Sequence, residues 1–144
     1  MTLKLNFFAK SDRGLIRDNN EDSGYAGPHL LILADGMGGH AAGEVASELM
    51  VNHLEILDQD PGQEDTAALL EAAAEQANEA ISDHVKAHPE TEGMGTTLST
   101  MLFNGTNFGV CHVGDSRGYL LRDGKLEQIT KDDTYVQSLV DKGE

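Results

Sequence analysis

The stretch that most limits what this chain can become is HLLILAD, from His29 to Asp35. Its apolar run is too short for an ordinary helix and reads as a strand buried on both faces. The run ends on a carboxylate and is followed by Gly36, Gly38 and Gly39, with His40 just beyond, near the start of a helix. A rigid strand thus delivers Asp35 to an open end. The glycines let the backbone approach a ligand, or bare its carbonyls, with no Cβ in the way. A plain Asp-Gly turn has the same letters, so this segment alone leaves a turn and a site equally open.

The flanking segments supply the other elements. Leu3, Leu5 and Phe7 alternate with polar residues, as in a strand with one buried face. From Ala42 to about Leu57, the residues Ala46, Leu49, Met50, Leu54 and Leu57 share one helical stripe, which DQDPGQ ends. A second helix is expected from Glu64 to about His88, with Leu70, Ala74, Ala77, Ile81 and Val85 spaced three or four apart. Its other side carries Glu71, Glu75, Glu79 and Asp83. Like charges at this spacing repel by only ~0.2–0.5 kcal/mol a pair, so the row reads as a solvated face. Further on, Asn104-Gly105, Gly114-Asp115 and Asp123-Gly124 separate apolar runs, which predicts an antiparallel meander. YVQSLVDKG then predicts a last helix from near Asp132, with Tyr135 and Leu139, and Val136 and Val140, each one turn apart. Helices grouped between antiparallel strands predict an α+β domain with helices packed over sheets.

Composition narrows the partners. An apolar content of 39% over 144 residues suits one globular core. With 25 acidic residues against 10 Lys and Arg, the net charge of -15 leaves no basic face for a nucleic acid backbone. The same charge repels a phosphorylated substrate unless bound cations reverse the local field. Cys111, the single cysteine, can form no internal disulfide and reads as a small buried hydrophobe. Neither a signal sequence nor a run approaching the ~20 apolar residues of a membrane span is found. A cytoplasmic location is therefore expected, with an anchor beyond residue 144 left open.

Two further segments bear on Asp35. In GLIRDNNED, Arg17 precedes Asp18, Glu21 and Asp22, and an arginine fork can hold two oxygens of a phosphate. In HVGDSRG, Asp115 sits at the end of a meander strand. Either segment by itself also reads as a charged turn. Were Asp22, Asp35 and Asp115 to converge, each pair ~4 Å apart would repel by about 4 kcal/mol at an effective dielectric near 20. Such a cluster needs cations or protonation. Carboxylates and a glycine carbonyl suit Mg²⁺ or Mn²⁺, whereas no Cys or His set has zinc spacing. His40 could donate a proton to a leaving group or merely flank a helix. His53, His84, His88 and His112 read as ordinary helix and strand residues.

Taken in order, GLIRDNNED, LADGMGGHAAGEVAS, GMGTTL and VGDSRGYLLRDGKLEQITKDD resemble the PPM family of metal-dependent protein serine/threonine phosphatases. The likeness runs from about Ala9 to the last residue, and within the family it is to the actinobacterial phosphatase that opposes membrane-anchored Ser/Thr kinases. It implies a pair of packed antiparallel sheets flanked by helices, an αββα sandwich, of which residues 1–144 would be the N-terminal portion of a single catalytic domain. It also implies hydrolysis of phosphoserine and phosphothreonine in proteins, kinases included, by a metal-activated water, with two or three Mg²⁺ or Mn²⁺ ions in the complete domain. On matching positions, Asp35 would bridge two ions and the Gly36 carbonyl would coordinate one. Asp22, with Glu21 beside it, would hold metal-bound water, and Asp115 would help bind a third ion. Arg17 would grip the phosphate, and His40 would be the acid for the departing oxygen. The family's two further metal aspartates, in a Ser-Asp-Gly motif and a later Asp-Asn motif, lie downstream of the segment matching VDKGE and do not occur here. The expectation for the chain alone is weak or no turnover, with a truncated non-catalytic phosphoprotein-binding or regulatory module as the alternative.

Overall fold

In the structure, a computed structural model, residues 4–16, 20–38 and 42–130 are described in full and 133–140 in their backbone. The strands are β1 (Asp22–Ala26), β2 (Leu30–Met37), β3 (Gly95–Thr96), β4 (Leu98–Phe103), β5 (Asn107–Gly114), β6 (Tyr119–Arg122), β7 (Lys125–Gln128) and β8 (Asp133–Val140). Two helices, α1 (Ala42–Leu54) and α2 (Thr66–Ala87), lie between β2 and β3 in the chain. One sheet runs β1-β2-β4-β5-β8 with β3 paired to the end of β2, and β6 and β7 form a separate hairpin. Every pairing is antiparallel. This is the α+β architecture expected of the sequence, with both helices on one face of the larger sheet.

Side-chain alternation explains that layering. Leu30, Ile32 and Ala34 of β2, Leu98 and Leu102 of β4 and Cys111 of β5 are buried beneath the helices. They meet Ala46, Met50, Val51 and Leu54 of α1 and Leu70, Ala73, Ala77 and Ile81 of α2, so the stripes read from the sequence are the buried faces. Each fully buried leucine contributes roughly 1.5–3 kcal/mol. The acidic row of α2 is exposed, as expected. Burial pushes the Cys111 thiol up to about 11, with the Glu71 charge adding to the effect, which fits an inert core residue.

Glycines set how closely the helices approach. A Cβ at Gly36 would lie 2.5 Å from the carbonyl carbon of Gly43, in the first turn of α1. One at Gly109 would lie 2.6 Å from the Ala67 nitrogen, in the first turn of α2. Each helix therefore begins directly against the bare backbone of a strand glycine, with the Thr66 hydroxyl also resting on Gly109. Asp65 caps α2, its carboxylate accepting from the Ala68 N–H at 3.2 Å. At the Asp123-Gly124 turn both residues have positive φ (52° and 78°), as a two-residue hairpin connection demands.

Five expectations change, the first being the meander, which divides because β5 pairs with β8 while β6 and β7 pair with each other. Residues 4–10 form no strand, although Leu5 is partly covered: alternation alone gives no ladder where no neighbouring strand offers hydrogen bonds. β1 is a strand that the sequence did not announce, because its 22–26 backbone pairs with residues 31–35 of β2. β2 is buried on one face only; Leu33 (42% exposed) and Met37 (52%) point away from the helices. The segment expected to form a last helix from Asp132 is instead β8, paired with β5 from Asn107↔Val140 to Gly114↔Asp133. Thr, Tyr and Val suit a strand as readily as an amphipathic helix, and eight ladder positions on an otherwise unpaired edge decide the choice.

Candidate functional site

The β1–β2 hairpin brings two of the predicted acids together. Asp22 and Asp35 are direct cross-strand partners, on the sheet face away from the helices, and both are exposed. Glu21 enters just before β1. Its carbonyl accepts from the Gly36 N–H at 3.1 Å and from the Ser47 hydroxyl at 2.7 Å, locking the start of β1 to the end of β2 and to α1. The Glu21 carboxylate lies over Gly43, where a Cβ would meet its Oε2 at 2.5 Å. That places negative charge at the first turn of α1, where the helix dipole favours it. Beyond Gly36 the chain turns at Gly38, whose φ of +132° and contact with the Met94 backbone both exclude a side chain.

Thr97 links this pair to the third acid. Its N–H donates to the Asp35 carbonyl at 2.9 Å, and its hydroxyl oxygen accepts from the Asp35 N–H at 3.0 Å. The same oxygen lies 2.9 Å from the Ser116 hydroxyl. Asp115, exposed in the turn after β5, is therefore tied through its neighbour to the main chain of Asp35. Neither Thr97 nor Ser116 was singled out from the sequence, although both lie in quoted motifs, GMGTTL and VGDSRG. A threonine at the mouth of a buried strand beside a glycine-rich end was the available signal.

The structure thus places Asp22, Asp35, Gly36 and Glu21 at one end of the β1–β2 hairpin and ties the Asp115 turn to it. It does not gather the carboxylates into a cage: among the described residues, no group of three or more His, Cys, Asp or Glu side chains is arranged to hold a metal ion. Exposed like charges gain nothing by closing up in water. Arg17, Asp18 and His40 lie outside the described residues. In donor chemistry the residues present, carboxylates with a glycine carbonyl, fit a hard divalent cation.

Next to the acids, on the open sheet face, is a cavity of about 570 Å³. Asp22 lines it, together with Lys10, Leu33, Met101, Arg117 and Ile129, while Asp35 and Asp115 do not. Its apolar floor is the face of β2 and β4 that the helices leave uncovered.

An antiparallel sheet backed by helices, with Asp22 facing Asp35 beside a glycine turn, defines a protein of the α+β class with oxygen donors of the kind a hard divalent cation takes. Residues 5–138 match the family model described as Protein phosphatase 2C. The chain belongs to that family, the metal-dependent serine/threonine phosphatases that its motifs resemble. It is 61% identical over 143 residues, 99% of its length, to serine/threonine protein phosphatase PstP of Mycobacterium tuberculosis, of which it covers 28%. It is 38% identical over 148 residues to serine/threonine phosphatase stp of Listeria welshimeri, covering 94% of this chain and 57% of that one. The crystal structure of the M. tuberculosis phosphatase PstP/Ppp superposes with a TM-score of 0.88 at 60% identity, over 92% of this chain and 57% of the other. A PstP catalytic domain in complex with two manganese ions superposes with a TM-score of 0.91 at 46% identity, over 95% of this chain and 73% of that one. The chain spans between about a quarter and just over half of these curated relatives. No helix among the described residues is long and apolar enough to cross a membrane.

Proposed function

We propose that residues 1–144 are the N-terminal portion of a single phosphatase catalytic domain that hydrolyses phosphoserine and phosphothreonine in proteins, with Ser/Thr kinases among its substrates. The observation that carries this reading is the facing of Asp22 and Asp35 at the strand ends, with Gly36 hydrogen-bonded to Glu21 beside them. Asp35 and the Gly36 carbonyl are the groups that would hold Mg²⁺ or Mn²⁺. Asp22 and Glu21 would order water around the cation, and Asp115 would hold a further ion. When bound, the cations acidify water and neutralise phosphate charge. Arg17 orients the phosphate by bidentate hydrogen bonds, and His40 carries the proton for the departing seryl or threonyl oxygen. Thr97 keeps the Asp35 backbone and the Asp115 turn in fixed relation.

For the 144 residues alone, a second reading is a truncated phosphoprotein-binding or regulatory module with little or no turnover, since the Ser-Asp-Gly and later Asp-Asn aspartates of the family do not occur in them. A fusion of residues 1–144 to the downstream part of the mycobacterial relative's catalytic domain separates the two. Under the first reading the fusion hydrolyses a phosphothreonine peptide in a Mn²⁺-dependent manner, Asp35→Asn abolishes that activity, and Arg17→Ala raises KM while metal binding survives. Retained turnover in the Asp35→Asn fusion refutes the assignment.

A further inference from the structure

His112 reads from the sequence as an ordinary strand residue, yet its surroundings are specific. It is fully buried, and it stands opposite Ser99 across β4 and β5. Both ring nitrogens are engaged: Nδ1 lies 2.6 Å from the Ser99 hydroxyl, and Nε2 lies 3.0 Å from the Gly114 carbonyl oxygen. A carbonyl oxygen only accepts, so Nε2 must carry a proton. In the neutral ring Nδ1 is then an acceptor, and the Ser99 hydroxyl donates to it. One tautomer satisfies both contacts.

The accepting carbonyl belongs to the residue where β5 leaves the sheet. Gly114 has a φ of +106°, and a Cβ on it would lie 2.7 Å from Cγ2 of Thr97. The next residue is Asp115, whose side chain is exposed. Its direction is set by its neighbours. On one side the His112 ring holds Gly114, and on the other Thr97 holds Ser116, the first contact reaching Ser99 of β4 and the second Thr97, just before β4. These two side-chain contacts flank Asp115 and add to the pairing of Gly114 with Asp133 of β8.

We propose that His112 is a positioning residue for Asp115: held as the Nε2–H tautomer by Ser99, it donates to the Gly114 carbonyl and so aims the turn that presents the carboxylate. This assignment rests on the reading of Asp115 as a cation ligand. Partners that orient a ligand from behind typically change metal affinity by about 10- to 100-fold when removed, and the expected effect here lies in that range.

The test uses the fusion of residues 1–144 to the downstream part of the relative's catalytic domain, with Mg²⁺ as probe, followed by NMR. Long-range ¹⁵N correlations of the unmutated chain read the His112 tautomer directly, and finding the proton on Nδ1 overturns the proposal without any variant. Mg²⁺ titration then follows the side-chain carboxyl carbons of Asp35 and Asp115 separately. His112→Gln, whose amide can replace the Nε2 donor, is expected to keep the Asp115 response. His112→Asn, equally polar but too short to reach the carbonyl, is expected to weaken it at least tenfold while Asp35 still responds. An Asp115 response that is the same in both variants overturns the positioning role alone. If Asp115 fails to respond in the unmutated chain, the reading of that residue as a cation ligand falls, and this assignment falls with it.

Discussion

Replacing Gly36 by alanine tests whether backbone contact sets the geometry of the acidic end. The added methyl carbon would sit 2.5 Å from the Gly43 carbonyl carbon and 2.8 Å from the Glu21 carbonyl oxygen, where ordinary contact is 3.4–4 Å. Relief requires α1 to draw back from β2 by about 1 Å, against the Gly36 N–H to Glu21 bond on the same residue. Overpacking among adjustable side chains costs ~1–3 kcal/mol. Here both obstacles are main chain, so we expect ~3 kcal/mol or more, a large share of the stability of a small domain. At a urea slope near ~2 kcal/mol per molar, the unfolding midpoint should fall by roughly 1.5 M. Gly95→Ala is the control, because its Cβ would meet only the Met37 side chain at 3.7 Å, and its midpoint should move by less than ~0.5 kcal/mol equivalent. Equal midpoints for the two variants, measured by circular dichroism, would refute the argument that glycine is required for the approach of α1.

Thr97→Val keeps the shape but leaves the Asp35 N–H without its acceptor, so a loss of ~1–3 kcal/mol is expected in urea, with Thr97→Ser restoring most of it. Asp58 accepts from the Tyr25 hydroxyl and, at 2.9 Å, from the His29 N–H. The Tyr25 hydroxyl is held above the usual tyrosine range, first by that hydrogen bond and then by burial and the charges of Asp58 and Glu55. Asp58→Ala should therefore bring the Tyr25 phenolate transition, followed by ultraviolet absorbance, back towards lower pH. Cys111 has its thiol raised from 9.0 to about 11, so above pH 9 the unfolded chain releases this proton first. Stability should be fully present below that pH and decline as pH rises from 9 towards 11, a decline that Cys111→Ala removes. In native buffer the thiol should resist alkylation, and labelling as fast as that of the urea-unfolded chain would contradict its burial.

Elements with a strong internal period were legible. The apolar stripes of α1 and α2 announce which face is buried, the apolar runs of β4 and β5 announce strands, and Asp123-Gly124 announces a tight hairpin because few residues adopt its backbone angles. Elements that exist only through a neighbour were not. DSGYA carries no alternation strong enough to signal β1, yet it pairs at every position with β2. The 133–140 segment has helical spacing on paper and finds eight ladder partners on β5. The candidate site divides in the same way. Asp35 could be read because an apolar run ends on it, although β2 continues to Met37, and Asp22 because it follows Arg17 in an acidic motif. That the two face each other is a property of register, and the roles of Thr97 and His112 depend on contacts between residues 13 to 62 positions apart.

The glycine contacts at Gly36 and Gly109 separate two properties that usually drift together. Where the first turns of α1 and α2 rest on bare main chain, the layer spacing does not depend on which apolar side chains fill the interior. Substitutions at Leu54 or Ile81, a helix length away, can raise or lower the melting temperature while the carboxylate rim keeps its place. A lineage of such chains can therefore repack its interior freely, so long as those two glycines persist.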